Sequence, residues 1–241
     1  MRPGTKSILV GVHQFAIHPL VVAFGWYRAF GFRRVRIGTS HRQYISHWEM
    51  VPGGYLQAPV YVHRGIFTSL IDPRLWLAFL VHDIGLFGKP NIDGPEGETH
   101  PEVGAAIMRR LFGEPWGDLV LLHSRYYAKR LGREPSPLCI ADKWAILVEP
   151  SWLYLPRARW SGELAEYMAV AKKRAKAFTG ANDTITEDEA LAFISGDPHQ
   201  WHRAVRTYMR RWIDEHADGK PDTWTRVRHG NASDATAGAT L

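Results

Sequence analysis

The chain has 241 residues, 45% of them hydrophobic, with ten Trp, one Cys and a formal net charge of +6. That length and apolar content argue for a well-packed globular chain rather than a disordered one, long enough for one large domain or two small ones with a sizeable core. The single cysteine, Cys139, excludes an intramolecular disulfide framework and fits a reducing compartment. The charge is uneven, because residues 1–80 hold nine Lys/Arg against two acids, Glu49 and Asp72, while the remainder nearly cancels. A basic N-terminal third suits an anionic partner such as a nucleotide, nucleic acid or phosphorylated metabolite, although so small a charge serves solubility equally well.

From the N-terminus, Ile8 to Phe30 carries apolar residues at helical spacing. Pro19 places the start of the main helix near His18, with its end at Gly31. The N-terminus lacks a signal-peptide cleavage site. No run of 18 uncharged apolar residues occurs, since His13, Gln14, His18 and Pro19 interrupt the nearest candidate. A soluble, cytoplasmic protein without a membrane partner is expected. Residues 32–70, with Gly53-Gly54 and alternating apolar positions, predict an insertion of short strands, turns and loops between two helices. Asp72-Pro73 supplies a cap and a first-turn Pro for a helix over 74–84. Lys89 to Glu98 reads as a loop, Thr99-His100-Pro101 opens a helix to about Phe112, and Asp118–Ala128 and Leu138–Val148 follow as helices. Gly162–Phe178, Thr186–Ile194 and Pro198–His216 complete an amphipathic C-terminal set. The expected organisation is one domain over 1–225, with a C-terminal helical extension from 156 and a disordered tail over 226–241.

The stretch Leu77-Ala-Phe-Leu-Val-His-Asp-Ile-Gly-Leu-Phe-Gly88 ends an apolar run in adjacent His82 and Asp83. Burying that dipeptide is costly unless it is paired or bound to an ion, and both residues suit divalent metals. Leu119-Val-Leu-Leu-His123 and Leu138-Cys-Ile-Ala-Asp142 repeat the pattern, and His100 opens a further helix. One such residue is commonly a satisfied core residue. Several helices each delivering one match the way dinuclear sites are built inside helical bundles.

These motifs resemble the HD-domain superfamily of metal-dependent phosphohydrolases. His82-Asp83-Ile84-Gly85 looks like its HDIG variant, and Thr99-His100-Pro101-Glu102-Val103-Gly104 is similar to the second-metal element of the HD-GYP branch. His123-Ser-Arg125 and Ile140-Ala-Asp142 resemble that branch's next His and the closing Asp. His18-Pro-Leu-Val-Val-Ala23 resembles the family's first His, with His13 as the rival. Five residues along one helix turn the chain by about 140°, so only one of these two is expected at an ion. The resemblance covers residues 8–150 and implies an all-α HD-domain bundle with one or two divalent ions (Mn, Fe, Co, Ni, Mg or Zn). It implies His18, His82, Asp83 and Asp142 at the first metal, and Asp83 bridging to a second held by His100 and His123. The metals would turn a bridging water into hydroxide for in-line attack on phosphorus. Lys89, Arg125, Lys129 and Lys143, each near a proposed ligand, are candidates to neutralise the developing charge.

The departures bear on substrate. The Lys that follows His-Asp-Ile-Gly in the HD-GYP branch is Leu86 here, and Arg125-Tyr-Tyr-Ala-Lys129 stands in place of Gly-Tyr-Pro. Cyclic di-GMP cleavage is therefore not expected. The acidic residue of some HD nucleotidases is also missing after the dyad, with Glu96 and Glu98 further on. A small phosphorylated substrate such as a nucleotide is the leading expectation, with self-association left open. An HD-domain mixed-valent diiron oxygenase is the alternative, because the same six ligands suit iron. A non-catalytic nucleic-acid-binding module ranks last, having no need of these residues.

Overall fold

The computed structural model describes residues 3–38, 41–43, 48–51, 54–57, 60–62, 65–90, 96–180, 183–217, 220 and 222–225. It is mostly helical. Helices α1 (Pro3–Val10) and α2 (His18–Phe30) precede six short strands. These are β1 (Val35–Ile37), β2 (His41–Gln43), β3 (Trp48–Val51), β4 (Gly54–Gln57), β5 (Val60–Val62) and β6 (Ile66–Thr68). Then come α3 (Pro73–Val81), α4 (Pro101–Phe112), α5 (Glu114–Leu121), α6 (Arg125–Arg130) and α7 (Pro137–Val148). Finally α8 (Ser151–Ser161), α9 (Glu163–Lys176), α10 (Glu187–Ser195) and α11 (Pro198–His216) form the C-terminal part. No helix among the described residues is long and apolar enough to cross a membrane.

Local chemistry sets most starts. The Asp72 carboxylate accepts from Arg74 N at 3.0 Å and Asp197 from His199 N at 2.8 Å, each followed by a Pro whose missing N–H costs nothing in a first turn. Thr186 and Glu189 close a reciprocal capping box at α10. The strands pair antiparallel and nest, β1 with β6, β2 with β5 and β3 with β4, with Val35 opposite Thr68 and Val51 opposite Gly54. On β1 and β6, Ile37 and Thr68 face inward while Arg36 and Phe67 face solvent. The expected tail over 226–241 and the 91–95 stretch of the Lys89–Glu98 loop lie outside the described residues.

Two apolar clusters share α7. Leu138, Ala141 and Ala145 face the side built from α2, α3, α4 and α5, with Val22, Trp26, Phe79, Met108 and Trp116. Cys139, Ile140 and Leu147 face the side built from α1 and α8–α11. The Cys139 thiol is fully buried, and that burial pushes it up to about 12. The sequence pattern missed α1 and α8. Pro156 lies inside α8, and that helix has no clean apolar stripe to announce it.

Helix α2 lies close along α7 because Gly25 has no side chain; a Cβ there would sit 2.2 Å from the Ala141 carbonyl oxygen. The obstacle is backbone and cannot rotate away. Gly25→Ala is expected to cost about 3 kcal/mol, at the upper end of overpacking penalties, as read from the urea midpoint.

In the C-terminal part, Arg174 grips Asp183, whose carboxylate also accepts from Ile185 N and Thr179 N. Burial opposes ionisation, but these partners hold the Asp183 pKa at about 2 against its ordinary 3.8. A carboxyl lowered in the folded state adds stability that is complete above about pH 4 and vanishes as pH falls through about 2. Urea midpoints are therefore expected to drop across that window, and Asp183→Asn should flatten the drop.

Candidate metal centre

Five of the six residues singled out as ligands sit at helix ends. His18 is the first residue of α2, and His82 ends α3 in αR geometry (φ −60°, ψ −34°). Asp83 then leaves the helix (φ −102°, ψ 4°) ahead of a 3-10 turn over Ile84–Leu86. The helix expected over 74–84 therefore ends at Val81, and the departure at Asp83 lets two neighbours converge. His100 immediately precedes α4, and Asp142 alone lies inside a helix, α7.

The single helix expected over 118–128 is two helices. Leu122 leaves α5 (φ −86°, ψ 8°), and Ser124 is extended, its hydroxyl accepting from Tyr127 N to cap α6. Carbonyls freed by the break are taken up by Ser136, whose N–H donates to Leu122 O at 2.9 Å and whose hydroxyl donates to Leu119 O at 2.7 Å. His123 sits in that break. A serine cap four residues before Ala128 was the available signal.

The six side chains come together in two groups that meet at Asp83. His18 Nε2 lies 3.2 Å from His82 Nε2, 3.2 Å from Asp83 Oδ2 and 3.5 Å from Asp142 Oδ1, and His82 Nε2 is 3.0 Å from Asp83 Oδ2. On the other side, His100 and His123 bring their Nε2 atoms to 3.0 Å of one another. Those nitrogens lie 3.5 and 3.3 Å from Asp83 Oδ1. Each carboxylate oxygen of Asp83 thus faces its own pair of imidazoles. His18–His82–Asp142 and His82–Asp83–His123 each gather ligand atoms within 4.8 Å.

The backbone sets the tautomers. Nδ1 of His82, His100 and His123 lies 2.9, 2.8 and 2.5 Å from the carbonyls of Phe79, Gly97 and Val120, each three residues earlier. With the proton on Nδ1, these rings turn a bare Nε2 lone pair toward the centre. His100 and His123 then face each other lone pair to lone pair, an arrangement that a shared cation relieves. Asp83 Oδ2 points the same way, being buried with no hydrogen-bond partner. Buried His and Asp groups that could hold a metal ion are therefore present, and their donor set fits one.

Burial works against the Asp83 charge, yet His82 first, then His123, His13 and His18, hold its carboxyl well below the usual range when those rings carry a proton toward it. Burial likewise opposes ionisation of Asp142, and the Lys143 ammonium at 2.7 Å outweighs it. His100 is pushed down to about 3, by burial first and His123 second.

The candidate cations divide into two pairs. Lys143 stays beside Asp142, and Lys89 donates to Thr99 Oγ1 at 2.5 Å, next to His100. Arg125 is buried, donates through Nε to Asp222 Oδ2 at 3.0 Å and Thr225 Oγ1 at 2.9 Å, and stacks on Trp212. Lys129 donates to the Asp222 carbonyl at 3.0 Å. These two face the C-terminal segment, whose contact with α6 nothing in the sequence announced.

His13, the rival to His18, is not on the same helix: it lies in the turn between α1 and α2, so the 140° argument does not apply. It reaches His18 and Asp83 as well. Burial lowers its basicity, but Asp83 and Glu163 raise it to about 9. Glu98, in the 3-10 turn before His100, is pushed to about 7 by burial against Lys143 and Arg125. Of the remaining histidines, His199 is exposed, His202 stacks on Tyr154 and His216 on Trp212; His229, His47 and His63 lie outside the described residues. No protein-family model, curated protein or solved structure matches the chain.

Proposed function

We propose that this protein is a metal-dependent phosphohydrolase of HD-domain type that cleaves a phosphoester of a nucleotide or related small phosphorylated substrate. The observation that carries the reading is Asp83, whose two oxygens face separate imidazole sets and can serve two ion positions at once. Divalent ions held there would supply Lewis acidity toward phosphoryl oxygens and lower the pKa of a water. His82, His100 and His123 are locked by their carbonyl bonds, so the site needs little reorganisation when it fills. Lys143, bonded to Asp142, and Lys89, bonded to Thr99 next to His100, would meet the phosphate oxygens, orienting the ester and neutralising charge as it develops.

Elemental analysis combined with phosphate release from a nucleotide panel tests this. About two ions per chain, with release supported by Mn²⁺, Co²⁺ or Mg²⁺, is the expected result. Two irons with O₂ consumption and no phosphate release would replace the hydrolase by an oxygenase. Lys143→Ala is expected to lower kcat about 10²-fold while keeping the metal count, the scale of losing one preorganised charge.

A further inference from the structure

The cluster has a seventh member. The His13 ring packs edge-on against His18, with centroids 5.1 Å apart, and one of its nitrogens lies within 4.8 Å of ligand atoms of both His18 and Asp83. Its Nδ1 faces away, 3.1 Å from Glu163 Oε1 and 3.2 Å from Ser7 Oγ, which leaves Nε2 for the cluster. Glu163, the first residue of α9, is fully buried. It accepts from Ser7 Oγ at 2.7 Å, from Val12 N at 2.8 Å and from Ser161 Oγ. The fit is close enough that a side chain at Gly11 would collide with this carboxylate.

A buried carboxylate on the outer nitrogen of an imidazole is how proteins aim ligating histidines and raise their basicity. Glu163 stands to His13 as the backbone carbonyls stand to His82, His100 and His123. An independent pointer to a cation lies on the inner side, where Asp83 Oδ2 is buried beside His18 and His82 without a hydrogen bond.

We propose that His13, aimed by Glu163, is a further ligand of the first ion position, beside His18, His82, Asp83 and Asp142. The inference rests on the metal reading above and adds the kind of ion. Three imidazoles and two carboxylates make a nitrogen-rich position, which favours Fe²⁺, Co²⁺, Ni²⁺ or Zn²⁺ over oxygen-seeking Mg²⁺. The second position, with two imidazoles and the shared carboxylate, has fewer nitrogens.

The test is Co²⁺ titration of the full chain, read by visible absorption and by ions bound per chain, with melting of the metal-free proteins as a folding control. Wild type should bind two Co²⁺. His13→Gln should weaken one of them by at least about ten-fold and change its absorption bands, leaving the other unaltered. Glu163→Asp, which keeps His13 and the charge but withdraws the carboxylate, should weaken the same ion about ten-fold; it carries the test if His13→Gln does not fold. Variants that bind both ions with wild-type affinity and spectrum would overturn the assignment of His13. A wild-type chain that binds no Co²⁺ would overturn the metal reading itself.

Discussion

Asp83→Ala is expected to abolish binding at both ion positions together. Either flank can lose a histidine and keep most of its ligands, but Asp83 contributes Oδ2 to one group and Oδ1 to the other. Metal content should fall from about two ions per chain to none, and phosphate release should fall by about 10³-fold or more, the upper range for losing a principal electrostatic element. Ions that bind only the folded chain stabilise it by mass action, about 2.7 kcal/mol at a hundred times Kd. Added Mn²⁺ or Co²⁺ should therefore raise the melting temperature of wild type and leave that of Asp83→Ala unchanged. A variant that keeps full occupancy would sink the bridging role.

Asp222→Ala should be the most destabilising change remote from the cluster. The Asp222 and Arg125 side chains are almost wholly buried, at 1% and 5% exposure. Burial disfavours the Asp222 charge, yet Arg125 holds its carboxyl well below the usual range. The same carboxylate accepts from Trp212 Nε1 at 3.1 Å and from Trp224 N at 2.9 Å. Truncation strands a buried guanidinium and several donors at once. Breaking such a pair costs about 3–5 kcal/mol, whereas replacing both partners by apolar residues of similar volume is often neutral. Urea denaturation should show that loss for Asp222→Ala and much of it restored in the double variant Arg125→Met, Asp222→Leu. Equal stability for single and double variants would show that the pair is not what holds the segment.

Helix starts were legible because their chemistry is local. Asp72-Pro73, Asp197-Pro198 and Thr186 with Glu189 declare themselves within four residues, and helices begin where they say. Apolar runs ending in His82, His123 and Asp142 marked the residues that the fold gathers. Contacts between distant parts of the chain left no such trace. Glu163 lies 150 residues from His13 and Asp222 lies 97 from Arg125, and nothing near either acid announces its partner. Proximity in sequence singled out Arg125 beside a proposed ligand, and gave no sign that the fold would also join it to Asp222 of the C-terminal segment. Local pattern also overran the break at Leu122–Ser124, because an apolar period continues across it while the backbone does not.

The buried thiol on the shared helix turns the protein into its own clock. Only the thiolate reacts, and burial holds the Cys139 thiol so far above its ordinary range that almost none of it is ionised at neutral pH in the closed fold. A disulfide reagent can therefore modify Cys139 only in those moments when α7 parts from its neighbours. The labelling rate, compared with that of the unfolded chain, converts to the free energy of that opening, as hydrogen exchange does for amides. Because Asp142 rides the same helix three residues on, labelling slowed by added Mn²⁺ or Co²⁺ would report ion capture without any substrate.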